Sequence, residues 1–420
     1  MEIELINPVT LLLAFSDTID CAAHTLASHQ QRTAYIAFEM AKCAGLPKNR
    51  QAGLFLAGLF HDVGALSLEE KVALHQNLEF DLVTHSKLGH ALYKSCDWLA
   101  PQADIVLNHH TDWKNWNEPI SNPLVLDSQL LYLADVLERS INRDAFILHE
   151  EEALKDKILN LSGNGIAPAV VELFMEASRR EEFWFDLVSE NLSGLMEKRS
   201  PIRAIAPSMN AIVQFSRFVS MIVDYKSPFT STHSVGVAHC AGKVGELAGM
   251  GKTDCQLLEV AGLLHDLGKL SLPSAIIMKP GALTVAERAV IKKHSYVTHS
   301  LLNSVSGFSK VGEWAAYHHE RLDGLGYPFR PRAEEISQGA RIIAVADVFT
   351  ALSEDRPYRA GMGKEQTLKV LTAEAVAGAW DPEVVSLLAD NYDGIHREMQ
   401  ELQGSAAESY RRHIERLKGQ

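Results

Sequence analysis

The amino-acid sequence predicts an all-α protein that consists of two tandem helical bundles related by internal duplication. Apolar residues recur every three or four positions in stretches such as 29–44, 211–223 and 337–352, which is typical of a helix with one buried face. Alternating strand patterns with hairpin turns are lacking, and Gly and Pro cluster between the periodic stretches. Because these features occur in both halves, each half is expected to form a bundle of five or more helices.

The internal repeat is clearest in two similar segments. Residues 57–68, AGLFHDVGALSL, align with residues 261–272, AGLLHDLGKLSL, at an offset of 204, and nine of the twelve positions are identical. The same offset places His29 on His233. Further along the chain the offset grows to 209 and then to 212, which is expected where loops lengthen after duplication of one ancestral domain.

The repeat divides the chain into predicted domains of residues 1–200 and 201–420. The boundary is predicted near residues 195–208, which mix Ser, Pro and charged side chains. A long helix beginning at about Met209 is expected to open the second domain. A chain of 420 residues is long enough for two domains that each bury a core of their own.

Composition narrows the classes of partner. The net charge of −13 excludes a broad basic surface for polymeric nucleic acid, so an anionic ligand must be bound by a local positive site. The cysteines show no CxxC pairing and suit buried thiols in a reducing compartment; they are Cys21, Cys43, Cys96, Cys240 and Cys255. The N-terminus is acidic and the apolar run 9–15 is too short to cross a bilayer. We therefore expect a cytoplasmic protein without a membrane partner.

Side chains that ligate metals stand in the same order in both halves. An HD dipeptide alone is a weak motif in a chain with 18 histidines. Imidazole and carboxylate are ligands that Mn, Fe(II), Ni and Zn accept. Each half contains seven such side chains, which are more than one ion needs but suit two ions. The second half contains His233, His265, Asp266, His294, His318, His319 and Asp347; the first half contains His29, His61, Asp62, His85, His109, His110 and Asp135. The repeated order predicts a two-metal centre in the second half and a second metal site in the first.

Four segments of the second half resemble the HD-GYP phosphodiesterases, a branch of the HD-domain metal hydrolases. They are HDLGK (265–269), KKHSYVTHSLL (292–302), HHERLDGLGYP (318–328) and ADVFTALSEDRPYR (346–359), within a resemblance that covers about residues 225–390. The resemblance implies two HD-type bundles, the first of them degenerate. It also implies an enzyme that hydrolyses cyclic di-GMP to linear pGpG, and in many members onward to GMP.

The resemblance also implies how the second half binds its metal ions. One ion would be held by His233, His265 and Asp347 and the other by His294, His318 and His319, with Asp266 between them. We expect iron or manganese before nickel or zinc. Phe229 stands where family members with three metals carry Glu, so two ions are expected. They would lower the pKa of a water, so that hydroxide attacks the phosphate near neutral pH.

Substrate contacts follow from the same resemblance. Lys269 would contact a phosphate oxygen and stabilise the charge that develops there, so Asp266 and Lys269 would be the catalytic residues. Tyr327, Arg356 and Arg359 match positions at which the family contacts its substrate. Arg321 is either a further phosphate contact or a structural ion-pair partner.

The first half departs from the second where the chemistry would require a match. Ala65 stands in place of Lys269, HHTDWKNWNEP in place of HHERLDGLGYP, and RSINRDAF in place of the RPYR segment. Three interpretations stay open: a regulatory or dimerising module, a sensor of a nucleotide or small anion at a surviving metal centre, and a second working hydrolase. A homodimer or a signalling-protein partner is consistent with the first of these.

For the whole chain, a cyclic di-GMP phosphodiesterase is the leading hypothesis. The first alternative is a different enzyme specificity, for 3′,3′-cGAMP or another nucleotide. The second alternative is a non-catalytic nucleotide receptor or interaction protein. The intact Lys269 and the full ligand set of the second half favour an enzyme.

Overall fold

The structure is a computed structural model that describes residues 6–20, 28–65, 68–75, 82–202, 207–225, 232–279, 281–355 and 360–418. These residues form α-helices and short 3₁₀ turns without any strand, apart from one isolated bridge between Ser162 and Ile166. The predicted all-α class is therefore confirmed. Most of the chain divides into two compact units, Asn7–Ala206 and Pro207–Gln420, called here the first and second units. The domain bounds drawn from the sequence, and the roles given to each domain, stay predictions.

The first unit is a bundle whose helices α2, α3, α5, α6 and α7 lie around the predicted ligand residues. Its described helices are α1 (Pro8–Asp20), α2 (His29–Cys43), α3 (Lys48–Phe60), α4 (Leu68–His75), α5 (Leu82–Lys94), α6 (Ala103–Leu107), α7 (Pro123–Ser140), α8 (Ile147–Leu159), α9 (Pro168–Ala177), α10 (Glu181–Leu187) and α11 (Leu192–Arg199). The helix α2 packs against α3 and α7.

The second unit repeats this arrangement. Its described helices are α12 (Met209–Tyr225), α13 (His233–Leu247), α14 (Lys252–Leu264), α15 (Ser274–Ile277), α16 (Val285–Asn303), α17 (Ser309–Ala316), α18 (Gln338–Ser353), α19 (Lys364–Val376), α20 (Pro382–Asp390) and α21 (Tyr392–Lys418). Here α13 packs against α14 and α18. These contacts correspond to those of α2 with α3 and α7 in the first unit. None of the helices described here combines the length and the apolar character needed to cross a bilayer.

Buried apolar faces fix the helices that lead to the HD dipeptides. In α14, Leu257, Leu258, Val260 and Leu264 are buried, so the helix presents a wide apolar face to its neighbours. It ends at Leu264, directly before the HD dipeptide, and α3 ends in the same way at Phe60. The position of each HD dipeptide is therefore set by core packing.

Two buried aspartates, which the sequence analysis does not single out, cap the helices that begin at the first ligand histidine of each unit. Asp20 accepts a hydrogen bond from the backbone N–H of Gln30 at 3.0 Å. Asp224, at the same offset of 204 as the ligands, accepts hydrogen bonds from the hydroxyl of Ser234 at 2.9 Å and from its N–H at 3.4 Å. Each carboxylate thus binds a free N–H in the first turn of the helix that carries His29 or His233. Burial raises the pKa of both aspartates to about 7.

Candidate metal centre

Five elements of the second unit bring the seven predicted ligands together. His233 begins α13, His265 and Asp266 follow α14, and His294 lies within α16. The 3₁₀ turn Tyr317–His319 carries His318 and His319, and α18 carries Asp347. Within each of three overlapping sets the ligand atoms lie within 4.8 Å of one another; the sets are His233, His265 and Asp347; His265, Asp266 and His318; and His294, His318 and His319.

The carboxylate of Asp266 faces both sides of this group. Its Oδ2 lies 3.2 Å from Nε2 of His265, and its Oδ1 lies 3.4 Å from Nε2 of His294. On the far side, Nε2 of His233 lies 3.0 Å from Oδ1 of Asp347. One carboxylate with its two oxygens directed to two different histidines is the arrangement that a bridging ligand between two cations requires.

Backbone carbonyl groups determine which ring nitrogen of the histidines is available. Nδ1 of His265 donates to the carbonyl of Gly262 at 2.7 Å, and Nδ1 of His294 to that of Ile291 at 2.6 Å. Nδ1 of His318 likewise donates to a carbonyl, that of Ala315, at 2.6 Å. In neutral rings the Nε2 atoms must then carry lone pairs, and all three are directed at the group.

Burial keeps the imidazoles of His294, His318 and His319 neutral. It lowers the pKa of His294 to about 3 and that of His319 to about 4, and it brings the pKa of His318 well below its usual range. Burial also opposes ionisation of Asp266, but the charges of Lys269 and His265 hold the pKa of this carboxyl well below its usual range. Neutral imidazoles and an ionised carboxylate are the protonation states in which these groups bind metal.

The first unit has the same geometry around Asp62. Oδ2 of this carboxylate lies 3.4 Å from Nε2 of His29 and 3.3 Å from Nε2 of His61. Its Oδ1 lies 3.5 Å from Nε2 of His85 and 3.7 Å from Nε2 of His109. The ligand atoms fall into two sets, each within 4.8 Å; they are His29, His61, Asp62 and Asp135, and Asp62, His85, His109 and His110. All fourteen predicted ligands are thus brought into groups that fit metal ions, and their roles as ligands stay predictions.

Two glutamates that the sequence analysis missed contact the first histidine of each group. Nδ1 of His233 lies 3.1 Å from Oε1 of Glu354, and Nδ1 of His29 lies 2.5 Å from Oε2 of Glu138. Burial opposes the charged form of both rings, but these carboxylates raise the pKa of His233 to about 10 and that of His29 to about 9. Each glutamate fixes the orientation of its ring so that Nε2 faces the other ligands.

The turn after each HD dipeptide lies against the helix that carries the third histidine. A Cβ atom on Gly268 would lie 2.0 Å from the carbonyl oxygen of His294, and one on Gly64 would lie 2.0 Å from that of His85. Only glycine permits this approach. In the second unit Thr298 adds a link, because its hydroxyl accepts a hydrogen bond from Gly268 N–H at 2.9 Å and lies 3.2 Å from the carbonyl oxygen of His265.

Among the predicted substrate contacts, Lys269 and Tyr327 lie beside the ligands. Nζ of Lys269 is 2.5 Å from Oδ2 of Asp266. The ring of Tyr327 is centred 4.7 Å from the ring of His319, and Nζ of Lys292 lies 4.9 Å above it. Burial raises the pKa of Tyr327, so its hydroxyl stays protonated.

Of the three arginines predicted to contact substrate, the structure describes only Arg321. Arg321 forms ion pairs with Asp323 at 2.6 Å and with Glu374 at 3.2 Å, which supports the structural alternative for this residue. Its contact with substrate stays a prediction. Arg356 and Arg359 lie outside the described residues, as does Phe229, on which the expected number of metal ions depends.

A buried glutamate holds the loop that contains the GYP residues. Oε1 of Glu320 accepts hydrogen bonds from the N–H groups of Phe329 at 2.6 Å and Arg330 at 3.1 Å. A Cβ atom on Gly326 would lie 2.6 Å from the Cα of Glu320, so the loop folds back tightly on the ligand segment. The ring of His299 also lies against this loop, with its centre 4.7 Å from that of the Phe329 ring.

Comparison with known proteins agrees with this geometry. A family profile described as "HD domain" matches residues 217–384, and a second profile with the same description matches residues 26–140. The 3'3'-cGAMP-specific phosphodiesterase 1 of Vibrio cholerae is 32% identical over 374 residues, which are 87% of each chain. The cyclic di-GMP phosphodiesterase response regulator RpfG of Xanthomonas campestris is 37% identical over 187 residues, 43% of this chain and 49% of that relative.

A solved structure shows the same fold over nearly the whole chain. It is the crystal structure of a cyclic GMP-AMP-specific phosphodiesterase of V. cholerae (V-cGAP3), with a TM-score of 0.61 and 23% identity, covering 93% of this chain and 98% of that one. The chain therefore contains two HD domains in tandem, each with a group of His and Asp side chains that could hold metal ions. These features are those of the metal-dependent hydrolase class. The chain belongs to the HD-domain family of cyclic dinucleotide phosphodiesterases. The narrower HD-GYP assignment stays a prediction based on the loop 318–328.

Proposed function

We propose that the second unit hydrolyses a 3′,3′-linked cyclic dinucleotide at a centre for two divalent cations. The observation that supports this most directly is the environment of Asp266. One of its oxygens faces His265 and the other faces His294, while Nζ of Lys269 lies 2.5 Å from the first. Two cation positions and an ammonium group therefore meet at one buried carboxylate, which suits a substrate whose reacting group is an anionic phosphodiester.

The donor set fits two ions of the iron or manganese type, which accept nitrogen and oxygen ligands together. The proposed ligands are His233, His265 and Asp347 for one ion, His294, His318 and His319 for the other, and Asp266 for both. When bound, such ions neutralise phosphate charge and lower the pKa of water, so that a nucleophile is available near neutral pH.

Lys269 and Tyr327 would act on the substrate directly. An ammonium group has three donors, so Lys269 can keep one hydrogen bond to Asp266 and donate another to a phosphate oxygen. The Tyr327 ring lies beside His319, and the Lys292 ammonium lies above that ring. Together they offer a surface for the second phosphate or a base. In the reaction, the water oxygen forms a new bond to phosphorus and the bond from phosphorus to O3′ breaks. The products are a 3′-hydroxyl and a 5′-phosphate on a linear dinucleotide.

The preferred substrate is proposed from the relatives. The motifs of the second half favour cyclic di-GMP, but the relative that matches 87% of both chains is named as specific for 3'3'-cGAMP. We therefore propose 3′,3′-cGAMP as the preferred substrate. Cyclic di-GMP is the second candidate because the shorter match from X. campestris has that name.

The test uses the full chain, purified without oxygen and loaded with Mn²⁺ or Fe²⁺. It is incubated with 3′,3′-cGAMP, cyclic di-GMP and cyclic di-AMP, and the products are separated by chromatography. We expect linear dinucleotide from 3′,3′-cGAMP with a kcat/KM at least tenfold above that for cyclic di-GMP, and no product from a His265→Ala/Asp266→Ala variant.

A higher kcat/KM for cyclic di-GMP would contradict the substrate order but not the reaction. Binding of all three nucleotides without any product would contradict the enzyme and favour a receptor.

A further inference from the structure

The first unit contains a second group of buried ligand atoms that the proposed reaction does not use. In one of its two sets, the ligand atoms of Asp62, His85, His109 and His110 lie within 4.8 Å of one another. The side chains of the first three are buried, and that of His110 lies at the partly exposed edge. We propose that this set binds a divalent transition-metal ion, independently of the second unit, and that it is the tighter of the two cation positions in the first unit.

Convergence of ring nitrogens is the first observation behind this proposal. Nε2 of His85 lies 3.3 Å from Nε2 of His109 and 3.1 Å from Nε2 of His110. Nδ1 of His109 donates to the carbonyl of Val106 at 2.5 Å, which leaves the lone pair of this ring on Nε2. Ligand nitrogens about 2.0–2.1 Å from a metal ion and at right angles to each other are roughly 3.0 Å apart. Both nitrogen–nitrogen distances from His85 are therefore close to the spacing that one ion would give its ligands.

The carboxylate of Asp62 is the second, independent observation. Among the residues described in the first unit, its Oδ1 has no hydrogen-bond partner although the atom is buried. This oxygen lies 3.5 Å from Nε2 of His85 and 3.7 Å from Nε2 of His109. A buried carboxylate oxygen without a donor is costly, and an ion bound between Oδ1 and the ring nitrogens removes that cost.

An arginine makes the two positions of the first unit unequal. Nη2 of Arg139 lies 2.7 Å from Oδ2 of Asp135, in the set formed with His29 and His61. A guanidinium at that distance competes with a metal ion for the carboxylate and adds positive charge beside it. The ion pairs of Asp62 within the described residues are all with histidines, so its position with His85 and His109 has no such competitor.

A comparison of the two units distinguishes this site from the proposed hydrolytic one. Ala65, which is buried, stands where the second unit has Lys269, so a phosphate bound at the first centre would lack the ammonium donor. The ion is therefore proposed as a structural or regulatory one, with nitrogen and carboxylate ligands that suit Mn²⁺, Fe²⁺, Co²⁺ or Zn²⁺.

The test uses Co²⁺ as the probe and keeps the chain at full length. The second centre is disabled by His265→Ala/Asp266→Ala/His294→Ala/His318→Ala, which removes ligands of both its proposed ions. The protein is then stripped with a chelator, and Co²⁺ uptake is followed by visible absorption and by metal analysis after gel filtration. We expect this background to retain Co²⁺. Adding His110→Gln, at the edge of the set, should weaken the retained Co²⁺ at least tenfold, and adding His85→Ala/His109→Ala should abolish retention. The exposed His149→Ala is the matched control and should retain Co²⁺ as the background does.

Circular dichroism shows whether each variant is folded. Folded background protein without retained Co²⁺, or equal uptake with and without His110→Gln, would overturn the proposal. Arg139→Gln tests which of the two positions has the higher affinity. The affinity for a second Co²⁺ should rise, while the affinity for the first Co²⁺ should stay unchanged. A rise in the affinity for the first Co²⁺ alone would show that the position beside Arg139 is the tighter one. None of these measurements uses phosphodiesterase activity, so they stand apart from the proposed reaction.

Discussion

Nε2 of His294 lies 3.1 Å from Nε2 of His318, although Nδ1 in both rings already donates to a backbone carbonyl. Each Nε2 of a neutral ring therefore has a lone pair and no hydrogen, so the contact cannot be a hydrogen bond. Two lone pairs at this distance repel each other in a buried site, where the repulsion is weakly screened. A cation between them converts the repulsion into two ligand bonds.

Removal of metal ions is accordingly expected to destabilise the second unit. An ion bound at 100 times its Kd adds about 2.7 kcal/mol to the free energy of unfolding, which corresponds to a Tm change on the order of 5–10 °C. Calorimetry of protein stripped with a chelator should show this decrease, and Mn²⁺ should reverse it. A His294→Ala variant should respond less. An unchanged Tm in the wild-type protein would contradict a metal ion at this pair.

Replacement of Lys269 by alanine should slow turnover without loss of metal. The ammonium lies 2.5 Å from Oδ2 of Asp266, and removal of one donor that stabilises developing charge typically costs about 10²–10³ in kcat. Steady-state kinetics combined with metal analysis would check this. The matched control is Lys369→Ala, an exposed lysine of α19, which should leave kcat unchanged. Loss of metal together with activity would show that Lys269 supports the ligand Asp266 and does not act on substrate.

The fold class could be predicted from the helical periodicity, and the residues that meet at both centres could be predicted because the sequence contains the ligand order twice. Helical periodicity and the spacing of His29 and His61, repeated in His233 and His265, are local patterns that a single chain displays. Their convergence around Asp62 and Asp266 follows from the packing of the helices on which they lie.

The glutamates that contact His29 and His233 could not be predicted in this way. Glu138 lies three residues after Asp135, whereas Glu354 lies seven residues after Asp347, so the repeat does not align them. Glu138 lies within α7, about one turn after Asp135, whereas Glu354 directly follows the last residue of α18, Ser353. Only the packed structure shows that the two carboxylates reach equivalent ring nitrogens.

Thr298 is expected to position the HD turn through its hydroxyl. The side chain is buried and lies within hydrogen-bond distance of Gly268 N–H and the His265 carbonyl. Thr298→Val keeps the shape but leaves the buried N–H without an acceptor, which should lower the free energy of unfolding by about 2 kcal/mol. Urea unfolding would measure this, together with weaker metal retention. Thr298→Ser restores the hydroxyl and should recover most of the loss; a serine variant no better than valine would assign the effect to packing.

Glu320 is expected to act on substrate binding through the loop that contains Tyr327. Glu320→Ala removes the acceptor for the N–H groups of Phe329 and Arg330, so the loop should lose its fixed position. We expect KM to rise roughly tenfold, a loss of about 1.4 kcal/mol, with metal content unchanged. Glu320→Gln keeps an acceptor oxygen and should be affected less, and the exposed Glu334→Ala serves as control. A fall in kcat at constant KM would instead connect Glu320 with the metal ligands.

Glu354 should determine how tightly the second unit holds the ion at His233. Its carboxylate lies 3.1 Å from Nδ1 of that ring, and partners of this kind typically contribute a factor of about 10–100 to metal affinity. Glu354→Gln keeps an oxygen but removes the charge, so Mn²⁺ titration of stripped protein against a competing dye should show weaker binding. Activity should return at higher Mn²⁺. Glu138→Gln makes the same change beside His29 and should leave that activity unaltered. If excess Mn²⁺ fails to restore the Glu354→Gln variant, Glu354 has a role other than holding the metal ligand in place.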